Sequence, residues 1–530
     1  MRQVRRLGLL LALGLGLVAP RAQAEAPLRI GISLSDIPRM WGAPDGGFEG
    51  LRFGGYLVFE GLTAWDLSSA DKQGKIIPGL AESWSVDEAN PKRWTFKLRE
   101  AKFHDGSPFN ADAAVWNFDA IYNNKAPQYD ASRSGLARYR AASVVSYGKI
   151  DDRTIFVETN QPNGFLPYEL STILFSSPAR FTEFGGDWTK FASKPSGTGP
   201  YKVRELTPRT RLDLEAFAGY WNPNRVPKTK QTSLVPIPDP TARVAALRSG
   251  QVDLVETLPP DAIDSLKAAG FKVVTNITPH TWLWRFNFDP AGPVADVRVR
   301  RAINLAIDRE GIATMLNKTA VPAKGFATPD ANWFGKPKFE LKYDPAAAKK
   351  LLAEAGYGPS KPVDIRVIIA SSGGGQMIPL PMNEAIQENL KDVGVNVQFD
   401  VVDFSTIIGY LRGGAKQPVQ KAASGLNVAM PVQEPTAGLI MHDSQLIAPN
   451  GSNWGYYNNP EADTAIRAAR NEFDLDKQML LLARVNEILV DDAAALLVVH
   501  DLNPRGLSAK VKGFVQARNW FQDYTAIKMD

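Results

Sequence analysis

Residues 363–401 change hydrophobic period twice, and that change limits the folds open to the chain. Val363, Ile365, Val367 and Ile369 recur at every second position, as on one face of a strand. Ile386, Leu390 and Val393 then fall at helical spacing, and Gly394 closes the run. Val395, Val397, Phe399 and Val401 alternate with Asn396, Gln398 and Asp400, which restores the strand period. Strand, helix and strand in this order build a parallel sheet, because a parallel neighbour needs a long crossover. The reading is therefore α/β.

Other segments carry both helix end signals. Asp239-Pro240 starts a helix through Val244 and Leu247 that Gly250 stops, and 252–255 reads as a short strand. A helix follows Asp296 through Val299, Ala302, Ile303, Ala306 and Ile307. Another runs from Asp344-Pro345 through Leu351 and Leu352 to Gly356. Met479, Leu482, Val485, Ile488 and Leu489 mark a long helix near the C-terminus. Glycine- and proline-rich joints fall at 195–200, 370–381 and 412–435. The second and third are long enough to be functional loops.

The first 24 residues read differently. Arg2, Arg5 and Arg6 precede the apolar run Leu7–Ala19, and Ala22-Gln23-Ala24 is a small-x-small cleavage signal. That order is a secretory signal peptide, and the run is shorter than the ~20 residues of a membrane helix. General secretion fits better than twin-arginine export. Of 530 residues, 506 remain after the leader, enough for two or three domains. The formal charge of +5 falls to near zero without the leader's four arginines, which argues against an electrostatic nucleic-acid binder. No cysteine occurs. Disulfides, thiol catalysis, zinc–thiolate sites and an N-terminal lipid anchor on cysteine are thereby excluded.

A series of motifs spans the rest of the chain: Phe59-Glu60-Gly61-Leu62-Thr63, Ile77 to Trp84, and Trp94 to Pro108 with its His104-Asp105-Gly106 turn. Gly197-Thr198-Gly199-Pro200-Tyr201, Tyr220-Trp221, Ala246 to Asp253, Val297 to Asp308 and Tyr343 to Tyr357 follow in order. In these the chain resembles extracellular solute-binding protein family 5, the peptide/nickel/opine class serving ABC importers. The resemblance implies a large two-lobe periplasmic binding protein of the cluster C type, with a hinge and an inserted third subdomain. Its lobes would be 25–276 plus 498–530, with the insertion at about 56–185, and 277–497. It further implies capture of a peptide or peptide-like solute in an interlobe cleft and delivery to the permease, by a periplasmic monomer with no cofactor and no catalysis. A non-peptide solute, such as an opine or sugar conjugate, is the alternative. A sensor or chaperone use of the same fold also stays open. Most of the motifs read as structural, with His104-Asp105-Gly106 and Gly197 to Pro200 as turns.

Four stretches are candidates for the cleft: Asp36, Met40 and Trp41; Thr281 to Asn287; Ala423 to Glu434, including Asn427; and Asn453 to Tyr457, including Trp454 and Tyr456. In the second, alternation puts Trp282, Trp284 and Phe286 on one face, either against ligand or against core. Dipeptide-binding members use an Asp for the ligand ammonium and an Arg for its carboxylate. Here the matching stretches read Gly425 to Ala429 and Ser371 to Gly375, without either charge. Glu434 and Arg285 are the candidate substitutes. The four histidines, His104, His280, His442 and His500, show no metal-ligand spacing, so no metal is expected. Gly-x-Ser-x-Gly, His-Glu-x-x-His and phosphate-loop motifs are absent. An exported glycoside hydrolase remains the rival class, since two carboxylates leave no local signature.

Overall fold

The computed structural model describes residues 26–138, 140–278, 280–373, 377–431, 439–449 and 451–530. Three sheets organise these residues. The first runs in the order Tyr201–Thr207, Arg211–Ala216, Gln231–Pro236, Leu28–Ile32, Leu254–Val255, Arg505–Leu507, Lys272–Val274. Leu28–Ile32 is parallel to both of its neighbours, whereas Arg505–Leu507 from the C-terminal tail enters antiparallel. The second sheet runs Ala320–Pro322, Ala495–Asp501, His280–Phe286, Gly425–Pro431, Val363–Ala370, Val395–Val402. The third is antiparallel, in the order Ala81–Val86, Arg93–Leu98, Thr154–Thr159, Val144–Asp151.

The strand–helix–strand unit forms as its periodicity requires. Val363–Ala370 and Val395–Val402 pair parallel and in continuous register, joined by the helix Pro379–Lys391. The end signals act as caps. Asp239, Asp296 and Asp344 each accept a backbone N–H in the first turn of the helix that follows. Gly250, Gly356 and Gly394 take positive φ just past the helix ends.

At its centre the second sheet is buried on both faces, and His280–Phe286 is buried at every position. Trp282, Trp284 and Phe286 enter the core that also holds Val299, Ile303 and Ile386; Leu283 enters the opposite core with Leu426 and Leu497. Two segments connect the first and second sheets, one ahead of His280 and one after Asp501. They are tied together by Thr278, whose Oγ1 donates to the Asp501 carbonyl at 2.8 Å. The strand Ala495–Asp501 stays in the second sheet through Asp501, past the boundary expected at 497/498. His280–Phe286 pairs with it as far as His500, and Ala320–Pro322 pairs with it through Asp501.

The family-like motifs of the first part of the chain bind one another. Buried Glu60 accepts from Thr198 Oγ1 at 3.0 Å, Tyr220 OH at 2.7 Å and Trp221 Nε1 at 2.7 Å. His104 Nε2 lies 2.9 Å from the Gly199 carbonyl, and Gly197 N–H donates to His104 Nδ1 at 3.2 Å. Gly106, at φ 88°, closes the hairpin between Ala101–Lys102 and Pro108–Phe109. At Gly197 a Cβ would meet the Val58 carbonyl oxygen at 2.1 Å, so the turn has room only for glycine.

Candidate ligand site between the lobes

A cavity of about 860 Å³, its mouth included, lies where the two large sheets' domains face each other. Gly46 to Glu49, Leu136, Arg140 and Trp520 wall it on the side of the first sheet. His280, Arg285, Val428, Ala429 and Met430 from two strands of the second sheet wall the other side. Phe404, Ile408, Leu411 and Arg412 of the helix Phe404–Gly413 complete it. Most of the wall is aliphatic or aromatic, with a few charged groups placed on it, as a small-solute site requires.

Trp520 is held between His280 and Arg52. His280 stacks on it with centroids 4.2 Å apart, and the Arg52 guanidinium lies 4.6 Å from its ring centroid. His280 Nδ1 is 3.3 Å from Asp501 Oδ2, which links the cavity wall to one crossing segment. Glu49 on the wall accepts from Arg52 at 2.5 Å, and Arg52 also pairs with Glu256 beneath it. Arg285 donates to the Ser452 carbonyl at 3.0 Å and contacts Met430 Sδ at 2.9 Å, so its side chain is fixed in place.

Of the nine candidate residues, Arg285 lines this cavity. Trp282 and Trp284 do not, because alternation turns them into the core opposite Arg285. Trp284 Nε1 donates to Asn383 Oδ1 at 2.8 Å, and Asn383 Nδ2 donates to Asn427 Oδ1 at 3.1 Å. Asn427 Nδ2 donates in turn to the Leu283 carbonyl, so Asn427 belongs to a buried core network. Trp454 is also core, with Nε1 on Gln420 Oε1 at 3.0 Å. Trp41 is buried against Trp188, and its Nε1 donates to the Ala43 carbonyl. Asp36 accepts the N–H groups of Ile37 and Arg209 in a half-exposed loop away from the cavity. Tyr456 packs at the edge of a core, with Lys416 Nζ 4.4 Å from its ring centroid. Glu434 lies outside the described residues.

Sequence reasoning missed Phe48, Glu49, Arg140, Phe404, Arg412 and Trp520. None of these stands in a patterned motif. The position matched to the Asp of dipeptide-binding proteins, Ala429, does face the cavity. The glycine-rich stretch borders a second space of about 810 Å³ between the same domains, lined by Ser33, Thr257 and Asn503 on one side and Ser372, Gly373 and Met377 on the other. Thr257, Met377 and Asn503 all have positive φ there. A Cβ on Gly373 would meet Phe404 at 2.6 Å, so the bare backbone is what lets this loop lie against the first cavity's wall. Among the described residues no group of three or more His, Asp or Glu side chains is placed to hold a metal.

Two domains joined by two crossing segments, with a mostly apolar cavity between them, define a bilobal binding protein. The chain belongs to the bacterial extracellular solute-binding proteins, family 5, whose sequence model matches residues 75–456. It is 27% identical over 484 residues to the periplasmic oligopeptide-binding protein OppA of Escherichia coli, covering 86% of this chain and 84% of that one. Two solved structures share the fold. The periplasmic binding protein DppA of Helicobacter pylori, in complex with the peptide STSA, matches at TM-score 0.80 and 19% identity, over 95% of this chain and 98% of that one. AgaA of Agrobacterium tumefaciens, in complex with agropinic acid, matches at TM-score 0.76 and 21% identity, over 95% and 99%. The family is one of solute-binding proteins of ABC transporters rather than of enzymes.

Proposed function

We propose that this chain captures a peptide or peptide-like solute in the interlobe cavity and hands it to an ABC permease. The observation that carries this reading is the cavity itself, because its wall comes from both domains. A solute held there contacts both, favours the closed arrangement and gives the permease one shape to recognise. The relatives' peptide ligands support the solute class. We further propose that the chain works as a periplasmic monomer after loss of residues 1–24, that it needs no cofactor and binds no nucleic acid, and that its lobes divide near 276 and 501.

One observation favours the second reading, a non-peptide solute such as an opine. Ala429, the position matched to the dipeptide ammonium anchor, borders the cavity and carries no charge. Native mass spectrometry of protein purified without refolding tests both readings. The retained solute is released, identified and added back in a thermal shift assay, where a ligand of the folded state raises the melting temperature. A retained peptide supports the first reading and a single intact non-peptide solute the second. Turnover of the bound solute would overturn both.

A further inference from the structure

A contact outside the cavity wall also joins the body built on the third sheet to the domain of the second. On the cavity wall, Leu136 belongs to the helix Ala131–Arg138, whose Ala137 packs in the core of the third sheet. Leu166 and Leu170 of the same core follow a turn at 163–165, and this turn meets the end of the helix Pro460–Arg470. Phe165 is 2% exposed and enters the core that also holds Ile466, Ala469 and Leu482 of the second sheet's domain. Phe473 returns the contact: it packs against the core of the third sheet, with its ring centroid 5.5 Å from that of Trp94. Gly164 N–H donates to the Arg470 carbonyl at 2.6 Å. A Cβ on Gly164 would meet the Glu472 carbonyl oxygen at 2.1 Å, so the two backbones approach as closely as glycine allows.

Each side of this joint is shaped within its own domain. Asn163 Oδ1 accepts the Phe165 N–H at 3.0 Å, and Asn163 Nδ2 donates to Ser143 Oγ at 3.0 Å and to Glu169 Oε1 at 2.9 Å. On the other side Arg470 is paired with Asp443 at 2.8 Å. Burial pushes the Glu169 carboxyl up, and Asn163, Ser143 and, across the joint, Arg470 oppose that shift. What crosses from one domain to the other is therefore an exchange of two phenylalanine rings and a backbone hydrogen bond. A contact of this kind is made and unmade without opening either core, and small contacts between domains of one chain leave room for relative motion. Burying the two rings favours the joined state.

We infer that the joint of 163–165 with 470–473 is a latch. It is made when the cavity closes and parts when the cavity opens, so the chain itself supplies part of the free energy of closure, whatever the solute. Solute affinity then rises with the fraction of chains in which the latch is made.

The chain has no cysteine, so a pair of spin labels can be placed on it without background. G135C and G409C lie on exposed faces of the helices Ala131–Arg138 and Phe404–Gly413, which both line the cavity, and a Cβ at either position meets nothing within 4 Å. Double electron–electron resonance reads the distance between them on the full mature chain, dialysed and with no solute added. The parent populates a short distance, F165A moves the population ~10-fold towards a longer one, and F473A moves it the same way. F165L and F473L keep an apolar side chain; they give smaller shifts in the same direction and decide the matter if the alanine variants do not fold. A distribution that none of these variants alters overturns the inference, because the joint is then a fixed pivot about which the cavity opens. No solute enters the measurement, so that result leaves solute capture standing. A shifted distribution in a chain that retains and binds no solute removes the proposed function and keeps the latch.

Discussion

Replacing Trp284 by phenylalanine separates a core role from a ligand role. Trp284 and its partner Asn383 are both fully buried. The substitution removes the Nε1–H that donates to Asn383 Oδ1 and leaves that oxygen buried without its donor, at a cost of ~1–3 kcal/mol. The smaller ring also leaves a void among Phe399, Val367 and their neighbours, for about 1–2 kcal/mol more. Together W284F lowers stability by ~2–5 kcal/mol, which for a lobe-sized domain is a fall in melting temperature of roughly 5 °C or more. Solute affinity changes by less than about threefold, because the indole faces away from the cavity. Thermal denaturation and calorimetry with the retained solute measure the two effects on one sample. An unchanged melting temperature with tenfold weaker binding would refute the reasoning and return Trp284 to the cleft.

Glu60 receives three buried donors, so E60A strands Thr198 Oγ1–H, Tyr220 O–H and Trp221 Nε1–H and lowers stability by at least ~3 kcal/mol in urea denaturation. E60Q, which keeps one acceptor oxygen, falls between E60A and the parent. Burial pushes both His104 and His500 down to about 4, so both are neutral at pH 7. Between pH ~6.5 and ~4 the unfolded chain binds more protons than the folded one at these sites. Their stabilising contribution is therefore complete above pH ~6.5, is lost as pH falls through that window, and changes by up to ~1.4 kcal/mol per pH unit for each histidine. H104Q should flatten the slope of unfolding free energy against pH relative to the parent, and an unaltered slope would contradict the assignment. Expression with export should give a mature chain starting at Glu25, which intact mass measures directly.

The elements that local chemistry specifies were legible in the sequence. Asp239, Asp296 and Asp344 announce helix starts because a carboxylate can satisfy an orphan N–H within one turn. The period-2 stretch at 363–369 could only be a strand, and its partner at 395–401 fixed the parallel register. The end of the strand Ala495–Asp501 was not legible. Whether Val499 to Asp501 stay in the sheet depends on His280–Phe286 and Ala320–Pro322, both far away in sequence, pairing with them. No local signal encodes such a partner.

The site was less legible for a related reason. Alternation places Trp282 and Trp284 on one face and Arg285 on the other, so the indoles and the guanidinium cannot all reach one cavity from the middle of a strand. Periodicity gives the split but not the direction, because both faces of this sheet are buried at its centre and either could have held the aromatics. Charge settles it. A guanidinium in a dry core without paired charge costs far more than two indoles whose single N–H can find an acceptor, and Asn383 supplies one for Trp284. The aromatic stripe therefore takes the closed side, and the arginine takes the side that opens between the domains. The other wall residues come from a short helix at 47–50, the residues after Arg138, the helix Phe404–Gly413 and the tail at 520, none joined to another in sequence. The motifs that identify the family bind each other and hold the scaffold, as Glu60 with Thr198, Tyr220 and Trp221 shows. The cavity wall comes instead from segments that these motifs leave unconstrained.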